Sequence, residues 1–181
     1  MFKKMMLAAV MATAASGAMA QLYMGAGLGY AKIADACNGS VGSCEDSSLG
    51  LKLYGGFHLN ASVSAELGYL DFGQATNDAG PLHAELDASA VVINAAFRAP
   101  VGRDLTGVAR IGLASVTMDE KYNFAPNSSK STSQLYLGLG LEYALQKNLK
   151  ATFSYDLTHG EDASGDSGNL HLFSAGLQYA F

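Results

Sequence analysis

Charged residues recur on one side of several segments whose other side is apolar. The members of this set that could act together are Lys52, Glu66, Arg98, Arg110 and Glu142. Inside a poorly hydrated protein such charges must pair, because an isolated buried charge is costly. The pattern places Lys52 and Glu66 on adjacent strands, and likewise Arg110 and Glu142. Paired charges at these positions fit either a salt-bridge gate in a narrow pore or a polar plug that fills it.

Other polar side chains share the same parity and would line the same interior. They are Tyr54, His58, Asn94, Gln134, Tyr136, Lys150, Thr152, Asp156 and Gln178. Whether the set forms a gate or a plug depends on the width of that interior, and therefore on the elements that carry it.

The spacing of the two cysteines indicates a disulfide bond. Cys37 and Cys44 flank the sequence NGSVGS. In an exported protein, cysteines this close in a Gly/Ser loop should oxidise to a disulfide. The closed loop is small, so the bridge would contribute about 2.5 kcal/mol in the chain-entropy treatment. A metal site would need further ligands, and none is patterned nearby, so we expect no metal and no cofactor.

Strict alternation of apolar with small or polar residues runs along the whole chain. In QLYLGLGLEYAL the leucines share one parity, while Gly138, Gly140 and Glu142 share the other. A period of two places the two sets on opposite faces of a β-strand. The same pattern predicts eight strands, at 22–32, 48–59, 62–72, 87–99, 104–117, 133–145, 149–158 and 169–181.

The distribution of bulk between the two faces separates a barrel from a soluble sandwich. A sandwich core needs a bulky row facing another bulky row, with charge on the solvent face. Here the second face is mostly Gly, Ala and isolated polar groups, which suits the inside of a narrow closed barrel whose bulky face meets lipid. Eight strands leave an interior just wide enough for side chains, which favours the plug. Aromatic residues near strand ends would form interfacial girdles: Tyr30, Phe57, Tyr69, Phe72, Tyr143, Tyr155, Tyr179 and Phe181.

The connections alternate between short and long, as they do in a membrane barrel. Short periplasmic turns are predicted near 60–61, 100–104 and 146–148, and long extracellular loops at 33–47, 73–86, 118–132 and 159–168. The loops carry an acidic rim of Asp35, Glu45, Asp46, Asp78, Glu85, Asp119, Glu120, Glu161, Asp162 and Asp166. This rim could bind divalent cations that bridge lipopolysaccharide phosphates, or it could be a solvated surface.

The composition and the N-terminal sequence indicate where in the cell the protein resides. Two lysines, a short apolar run and small residues at Ala18 and Ala20 are typical of a secretory signal peptide, residues 1–20. A membrane anchor fits less well, because the run is shorter than the roughly 20 residues that span a bilayer. Cleavage would leave a barrel domain at 21–181, with 9 basic and 16 acidic residues and a net charge of −7. Such a chain has no electrostatic case for nucleic acid.

Several segments of the sequence resemble those of a known protein family. They are YMGAGLGYAK, FHLNASVSAELGYLDFG, GLGLEYAL and the terminal GLQYAF. Together they resemble the eight-stranded barrel of the outer-membrane protein A family and its small relatives, over nearly all of 22–181. The resemblance implies an all-β, up-and-down barrel in the bacterial outer membrane, in contact with lipid and lipopolysaccharide. Larger relatives add a soluble peptidoglycan-binding domain, and we expect none here.

The last strand is similar to the signal that barrel-assembly machinery reads. Phe173, Leu177, Tyr179 and Phe181 stand at alternate positions up to the final aromatic residue. This strand must pair with the first one, because an open sheet edge in lipid leaves backbone groups unsatisfied. Barrel-assembly machinery and periplasmic chaperones are therefore expected partners of an exported monomer.

The resemblance leaves three functions open. A non-catalytic structural or surface-interaction role is favoured, and a small gated channel for ions or modest solutes is the alternative. Interior ion pairs occur in the family, with Glu66 and Glu142 at matching places, but Thr152 stands where a basic partner is expected. A lipid-modifying enzyme is a distant third, because the His-x-Ser pairing of deacylase barrels is missing around His83, His159 and His171.

Overall fold

The structure is a computed structural model that describes residues 22–34, 37, 43–79, 82–122, 128–161 and 167–181. The predicted signal peptide lies outside the described residues, as do Asp35, Asp162 and Asp166 of the acidic rim. No helix in the described part of the chain is long and apolar enough to cross a bilayer.

The described residues form nine antiparallel strands. They are β1 (Leu22–Ile33), β2 (Ser43–Glu45), β3 (Ser47–His58), β4 (Val63–Ala79), β5 (Leu82–Pro100), β6 (Leu105–Tyr122), β7 (Ser128–Ala144), β8 (Leu149–Glu161) and β9 (Ser167–Ala180). The three-residue strand β2 pairs only with the end of β4. The other eight are the strands that the alternation predicts.

These eight strands close into a ring. β1 pairs with β3 on one side and with β9 on the other, and each later barrel strand pairs with the next. The closure continues to the last residue, where the Phe181 backbone N–H donates to the Leu22 carbonyl at 3.0 Å. The predicted eight-stranded up-and-down barrel is confirmed.

One end of the barrel, the turn end, carries the short connections, and the opposite end, the loop end, carries the long ones. At the loop end β4 and β5 reach Ala79 and Leu82, and β6 and β7 reach Tyr122 and Ser128. Most of the predicted loops 73–86 and 118–132 are therefore strand. Their sequences are mostly polar and lack the regular alternation of bulky residues, but the cross-strand ladder continues without it.

A bulge in β4 shifts the parity of that strand. The register with β5 shifts between Asp71 and Gln74, and Gly73 has a φ of 65°. A Cβ at Gly73 would meet the Leu49 carbonyl oxygen at 2.8 Å, so glycine is required for space as well as for its φ. Ser48 fixes the bulge, because its hydroxyl donates to the Phe72 carbonyl at 3.1 Å and accepts from the Gln74 N–H at 3.1 Å.

The bulky parity faces outward, as predicted. Large apolar side chains of every barrel strand are exposed on this face, together with six of the eight predicted girdle aromatics, and Tyr155 is half-buried. Phe72 is the exception: it is 1% exposed and lies inside the barrel. That girdle assignment was wrong, because Phe72 shares the parity of Glu66 and Leu70, which point to the axis.

Candidate functional site: the barrel interior

The five charged residues singled out in the sequence all lie inside the barrel. Lys52 is on β3, Glu66 on β4, Arg98 on β5, Arg110 on β6 and Glu142 on β7, and each is buried. Alternation brings them to one interior because it turns the same parity of every strand toward the axis.

Glu66 is the centre of the network near the turn end. Its Oε1 accepts hydrogen bonds from the Tyr23 hydroxyl at 2.6 Å and from Arg98 Nη2 at 2.9 Å. Its Oε2 accepts from Arg110 Nε at 2.7 Å. A carboxylate held by two guanidinium groups and a phenol has its charge fully compensated, which is the condition under which burial is tolerated.

Arg98 connects this centre to a second carboxylate. Its Nε donates to Glu142 Oε1 at 2.9 Å, and Lys150 Nζ donates to Glu142 Oε2 at 2.7 Å. The Arg98 guanidinium also lies over the Tyr23 ring, 4.9 Å from its centroid. A continuous chain of charge-assisted bonds thus crosses the lumen from Arg110 to Lys150.

Asp156 forms a second group around Lys52. Both carboxylate oxygens lie 2.7 Å from Lys52 Nζ, and Asp156 is fully buried. The Tyr136 hydroxyl donates a short hydrogen bond to Oδ1, and the Ser154 hydroxyl donates to Oδ2 at 2.9 Å. This group has no net charge and no unmet carboxylate oxygen.

The ion pairs of Lys52 and Arg110 join non-adjacent strands and do not follow the adjacent-strand pairs that the sequence suggests. Lys52 pairs with Asp156, 104 positions away, and not with Glu66. Arg110 pairs with Glu66 and not with Glu142. Long side chains that converge on a narrow axis can reach beyond the neighbouring strand, whereas the pairs Arg98–Glu66 and Lys150–Glu142 do join adjacent strands.

Five residues of the two groups were absent from the predicted gate: Tyr23, Tyr136, Lys150, Ser154 and Asp156. Lys150 and Asp156 have the inward parity, which could have identified them as partners. Tyr23 has the same inward parity as the small residues Gly25 and Gly27, and this parity is the sequence feature that could have placed it in the network. Opposite Tyr23 on β3, a Cβ at Gly56 would stand 2.6 Å from the Tyr23 hydroxyl oxygen, so glycine leaves room for the ring.

Thr152 stands where the family resemblance leads one to expect a base. Lys150, one inward position earlier on β8, supplies a cation to Glu142. The interior therefore has a basic partner on this strand, shifted toward the turn end. A small cavity lies among Lys52, Arg110, Glu142 and Thr152, with room for about one water molecule.

The loop-end half of the interior is mainly apolar, although Glu120 of β6 is also buried there. A contiguous buried cluster fills it, formed by Ala31, Ile33, Leu70, Phe72, Ala75, Ala88, Ala90, Val92, Ala114, Val116, Met118, Tyr136, Leu170 and Leu172. Leu70, Phe72, Leu170 and Leu172 are almost completely buried. The sequence analysis did not predict this cluster, and its segregation to one end is a finding of the structure.

The predicted disulfide is confirmed. Cys37 and Cys44 are bonded, with their Cα atoms 5.8 Å apart. Cys44 belongs to β2, which pairs with Thr76, Asn77 and Asp78 of β4. The bridge therefore closes the loop whose strand covers the edge of β4 above the barrel.

The histidines do not assemble a nucleophile site among the described residues. His159 Nδ1 lies 3.2 Å from the Asn169 side-chain oxygen, and His171 Nδ1 lies 2.8 Å from the Tyr155 hydroxyl. Ser64 does contact His58, at 2.8 Å, but Ser64 is fully buried and accepts a hydrogen bond from Arg98 Nη1. Within the described part of the chain, no group of three or more metal-binding side chains is placed to share an ion.

The terminal strand presents its apolar parity outward. Phe173, Leu177, Tyr179 and Phe181 are all about half exposed on the outer face of β9 and the residue after it. Their backbones meanwhile close the ring against β1. The outward apolar row and the closing edge thus belong to the same strand.

Comparisons with known proteins agree with this architecture. The chain matches the OmpA-like transmembrane domain family over residues 17–181. It is 27% identical over 169 residues to outer membrane protein A of Escherichia coli O157:H7, covering 88% of this chain and 47% of that protein. With outer membrane protein A of Klebsiella aerogenes it shares 24% identity over 168 residues, covering 88% of this chain and 48% of that protein. The chain spans about half the length of the curated relatives it matches.

Solved structures show the same fold. Neisserial surface protein A superposes with a TM-score of 0.69 at 15% identity, covering 88% of this chain and 97% of that one. The N-terminal barrel domain of Pseudomonas aeruginosa OprF gives 0.58 at 17% identity, covering 89% and 98%. The family match, which extends over nearly the whole chain, shows that this protein belongs to the OmpA-like transmembrane domain family and resides in the bacterial outer membrane.

Proposed function

We propose that the protein is a non-conducting, non-catalytic barrel that serves the envelope structurally and presents its loop-end strands for contacts outside the cell. The turn end would face the periplasm. The observation that carries this proposal is the filling of the lumen by two successive layers, a polar one and an apolar one. Water and ions would have to cross both.

The apolar layer is the stronger argument against conduction. A salt-bridge network can exchange partners and admit water, but a tightly packed apolar constriction blocks ions by remaining dry. Phe72, Leu170 and Leu172 are almost completely buried in this layer. Opening the ion pairs alone would therefore expose a pocket that is closed at one end.

A small gated channel remains the second candidate because of one observation. The cavity beside Glu142 and Arg110 lies within the ion network, where rearrangement of the pairs would enlarge it. In that alternative the network would be the gate, and the apolar layer would have to move with it.

Planar-bilayer recording distinguishes the two functions. The folded protein should give no stable unitary currents, and Glu142→Ala should remain silent because the apolar layer persists. Leu141→Ala, next in sequence but on the lipid face, is the matched control for disturbance of the seal around the barrel. Stable unitary currents that Glu142→Ala abolishes or alters would overturn the structural role.

We also propose that residues 1–20 direct export and that the terminal strand is read by barrel-assembly machinery, with periplasmic chaperones protecting the chain before insertion. The outward, half-exposed side chains of Phe173, Leu177, Tyr179 and Phe181 support the second point. Phe181→Gln should lower the amount of folded barrel in the outer membrane, measured by heat-modifiable gel migration, with Phe153→Gln on the same outer surface as control. Equal loss from both variants would contradict a dedicated signal.

A further inference from the structure

The ladder between β7 and β8 ends before either strand does. It runs from Ala144 opposite Lys150 to Leu137 opposite Leu157, and there it stops. On its other side β7 stays paired with β6 up to Ser128, and β8 stays paired with β9 up to Glu161. Residues 128–136 of β7 therefore have no backbone partner on the β8 side within the described part of the chain.

The backbone groups that this edge leaves open can be assigned. The Thr158 hydroxyl donates to the Leu135 carbonyl at 2.9 Å, so that carbonyl points to the β8 side. In an antiparallel strand every second residue directs both its N–H and its C=O to the same neighbour. Ser133, Ser131 and Ser129 consequently present their backbone groups on the same open edge.

One ion pair joins the unpaired parts of β7 and β8, closer to the loop end than Thr158. Lys130 Nζ lies 2.7 Å from Glu161 Oε1, and both side chains are about one-third exposed. The gap is thus held by two side-chain contacts in place of a ladder. Lysine on an edge strand is a common guard against unwanted pairing, so Lys130 limits what can add to this edge.

The open edge begins where the lipid-facing band ends. Leu135 and Leu137 are the last large apolar residues on the outer face of β7, and Ser133, Ser131 and Ser129 follow. An unpaired edge in hydrocarbon would cost several kcal/mol for each polar group, but in water it is available for binding. The other sheet edge at this end, on β4, is covered by β2.

We propose that the β7 edge from Ser129 to Ser133 binds an extended segment of a protein outside the cell, which adds to the sheet as a strand. Strand addition uses backbone hydrogen bonds for affinity and side chains for specificity. A carboxylate on the added segment takes the place of Glu161 beside Lys130, so the preferred segment is acidic. This inference rests on the proposed surface-contact role and names its partner class.

A second copy of the same chain does not fit this edge. Copies in one membrane share their orientation, so their β7 strands run in the same direction. Joining like edges of two sheets in an antiparallel ladder requires opposite directions. The partner segment therefore comes from a different protein.

Hydrogen exchange tests the edge directly in the folded, detergent-solubilised barrel. The backbone amides of Ser129, Ser131 and Ser133 should exchange at least about tenfold faster than those of Lys130, Thr132 and Gln134, which face β6. Equal protection of the two sets would mean that the edge is already covered, and would overturn the proposal.

Binding is tested with a labelled peptide of sequence ASVTMDEKY, residues 114–122 of this chain, followed by fluorescence anisotropy. This segment belongs to β6, which pairs with β7 in antiparallel fashion, and it carries two carboxylates. Ser131→Pro removes one open N–H without touching the ladder to β6, so affinity should fall about tenfold. Ser131→Ala is the matched control and should bind normally. No saturable binding up to about 1 mM peptide, or the same affinity for both variants, would contradict strand addition.

The ion pair supplies a test with opposite signs. Glu161→Gln should raise peptide affinity about threefold by freeing Lys130, and Lys130→Gln should lower it by a similar factor. If the pair merely holds the gap shut, both variants should shift affinity the same way, which would overturn the role of Lys130 in recognition. Conductance of the same samples reports on the proposed function separately, because a conducting barrel could still bind the peptide.

Discussion

The two halves of the barrel interior fill the same narrow space with opposite chemistry. Near the turn end, Glu66, Glu142 and Asp156 are each surrounded by cations and hydroxyl groups. Near the loop end, Phe72 and Leu172 pack among other apolar side chains. The strands cross both halves with the same alternation, so the difference lies entirely in which side chains occupy the inward positions.

The difference teaches how each half fails. A polar layer is stable only while every member is paired, because removing one leaves its partner as an uncompensated buried charge. An apolar layer loses only the transfer and cavity terms of the atoms removed. The polar half should therefore be less tolerant of single substitutions, although it contributes no more than the apolar half to filling the barrel.

The largest expected effect is that of Glu66→Ala. The change leaves the Arg98 and Arg110 guanidinium groups buried without their shared carboxylate, and it removes the acceptor of the Tyr23 hydroxyl. We therefore expect a loss of about 3–5 kcal/mol in the free energy of unfolding. Urea unfolding in phospholipid vesicles, followed by gel migration, measures it. Glu161→Gln, which breaks a partly exposed ion pair, is the control and should cost no more than about 1 kcal/mol. Similar losses for both variants would remove the contrast between buried and exposed pairs.

The apolar half is tested with Leu172→Ala. Leu172 is fully buried, and we expect a loss of about 3 kcal/mol from transfer and cavity formation. Leu135→Ala is matched in chemistry but lies on the lipid face, where acyl chains refill the space, so only the transfer term should appear. The same urea titration compares them. A cost for Leu135→Ala equal to that for Leu172→Ala would indicate that the loop-end cluster is loosely packed.

Much of this division could be predicted from sequence, but not all of it. Parity placed Lys52, Arg110 and Glu142 inside because alternation is a local property of the strand. It could not pair Lys52 with Asp156, because partners across a lumen depend on tilt and side-chain reach. The sequence analysis assigned Phe72 to the girdle because it gave more weight to an aromatic residue at a strand end than to the inward parity of that residue.

The strand ends were predicted less well for a related reason. Polar, serine-rich sequence at 128–132 has no alternation of bulk, so the sequence indicated a loop. In the structure this segment pairs with β6, and the hairpin continues beyond the lipid-facing band. Backbone pairing needs no apolar face once the strand is in water, and hydropathy therefore carries no signal for it.

A third prediction asks whether the polar half must be polar. Lys52→Met alone should cost about as much as Glu66→Ala, because it leaves Asp156 charged and buried. Combining it with Asp156→Leu and Tyr136→Phe removes both charges and the Tyr136 hydroxyl, and leaves the Ser154 hydroxyl bonded to that of Ser174 at 2.9 Å. This triple variant should restore stability to within about 1 kcal/mol of the original protein. Urea titrations of the single and triple variants measure the difference. A triple variant as unstable as the single one would show that the group supplies more than mutual compensation.

The smallest expected effect on stability, that of replacing Asn94, tests where the polar half of the barrel interior meets the apolar half. Asn94 lies on β5 between the polar layer and Val92, and its side-chain oxygen is buried without a hydrogen-bond partner. An unmet acceptor already carries its desolvation cost, so replacing it with an apolar group of similar size removes a penalty along with any hydrogen bond of the amide nitrogen. Asn94→Leu should change the free energy of unfolding by no more than about 1 kcal/mol. A clearly larger loss would mean that water reaches the Asn94 oxygen. The polar layer would then extend one position further toward the loops, and the apolar layer that seals the lumen would be correspondingly thinner.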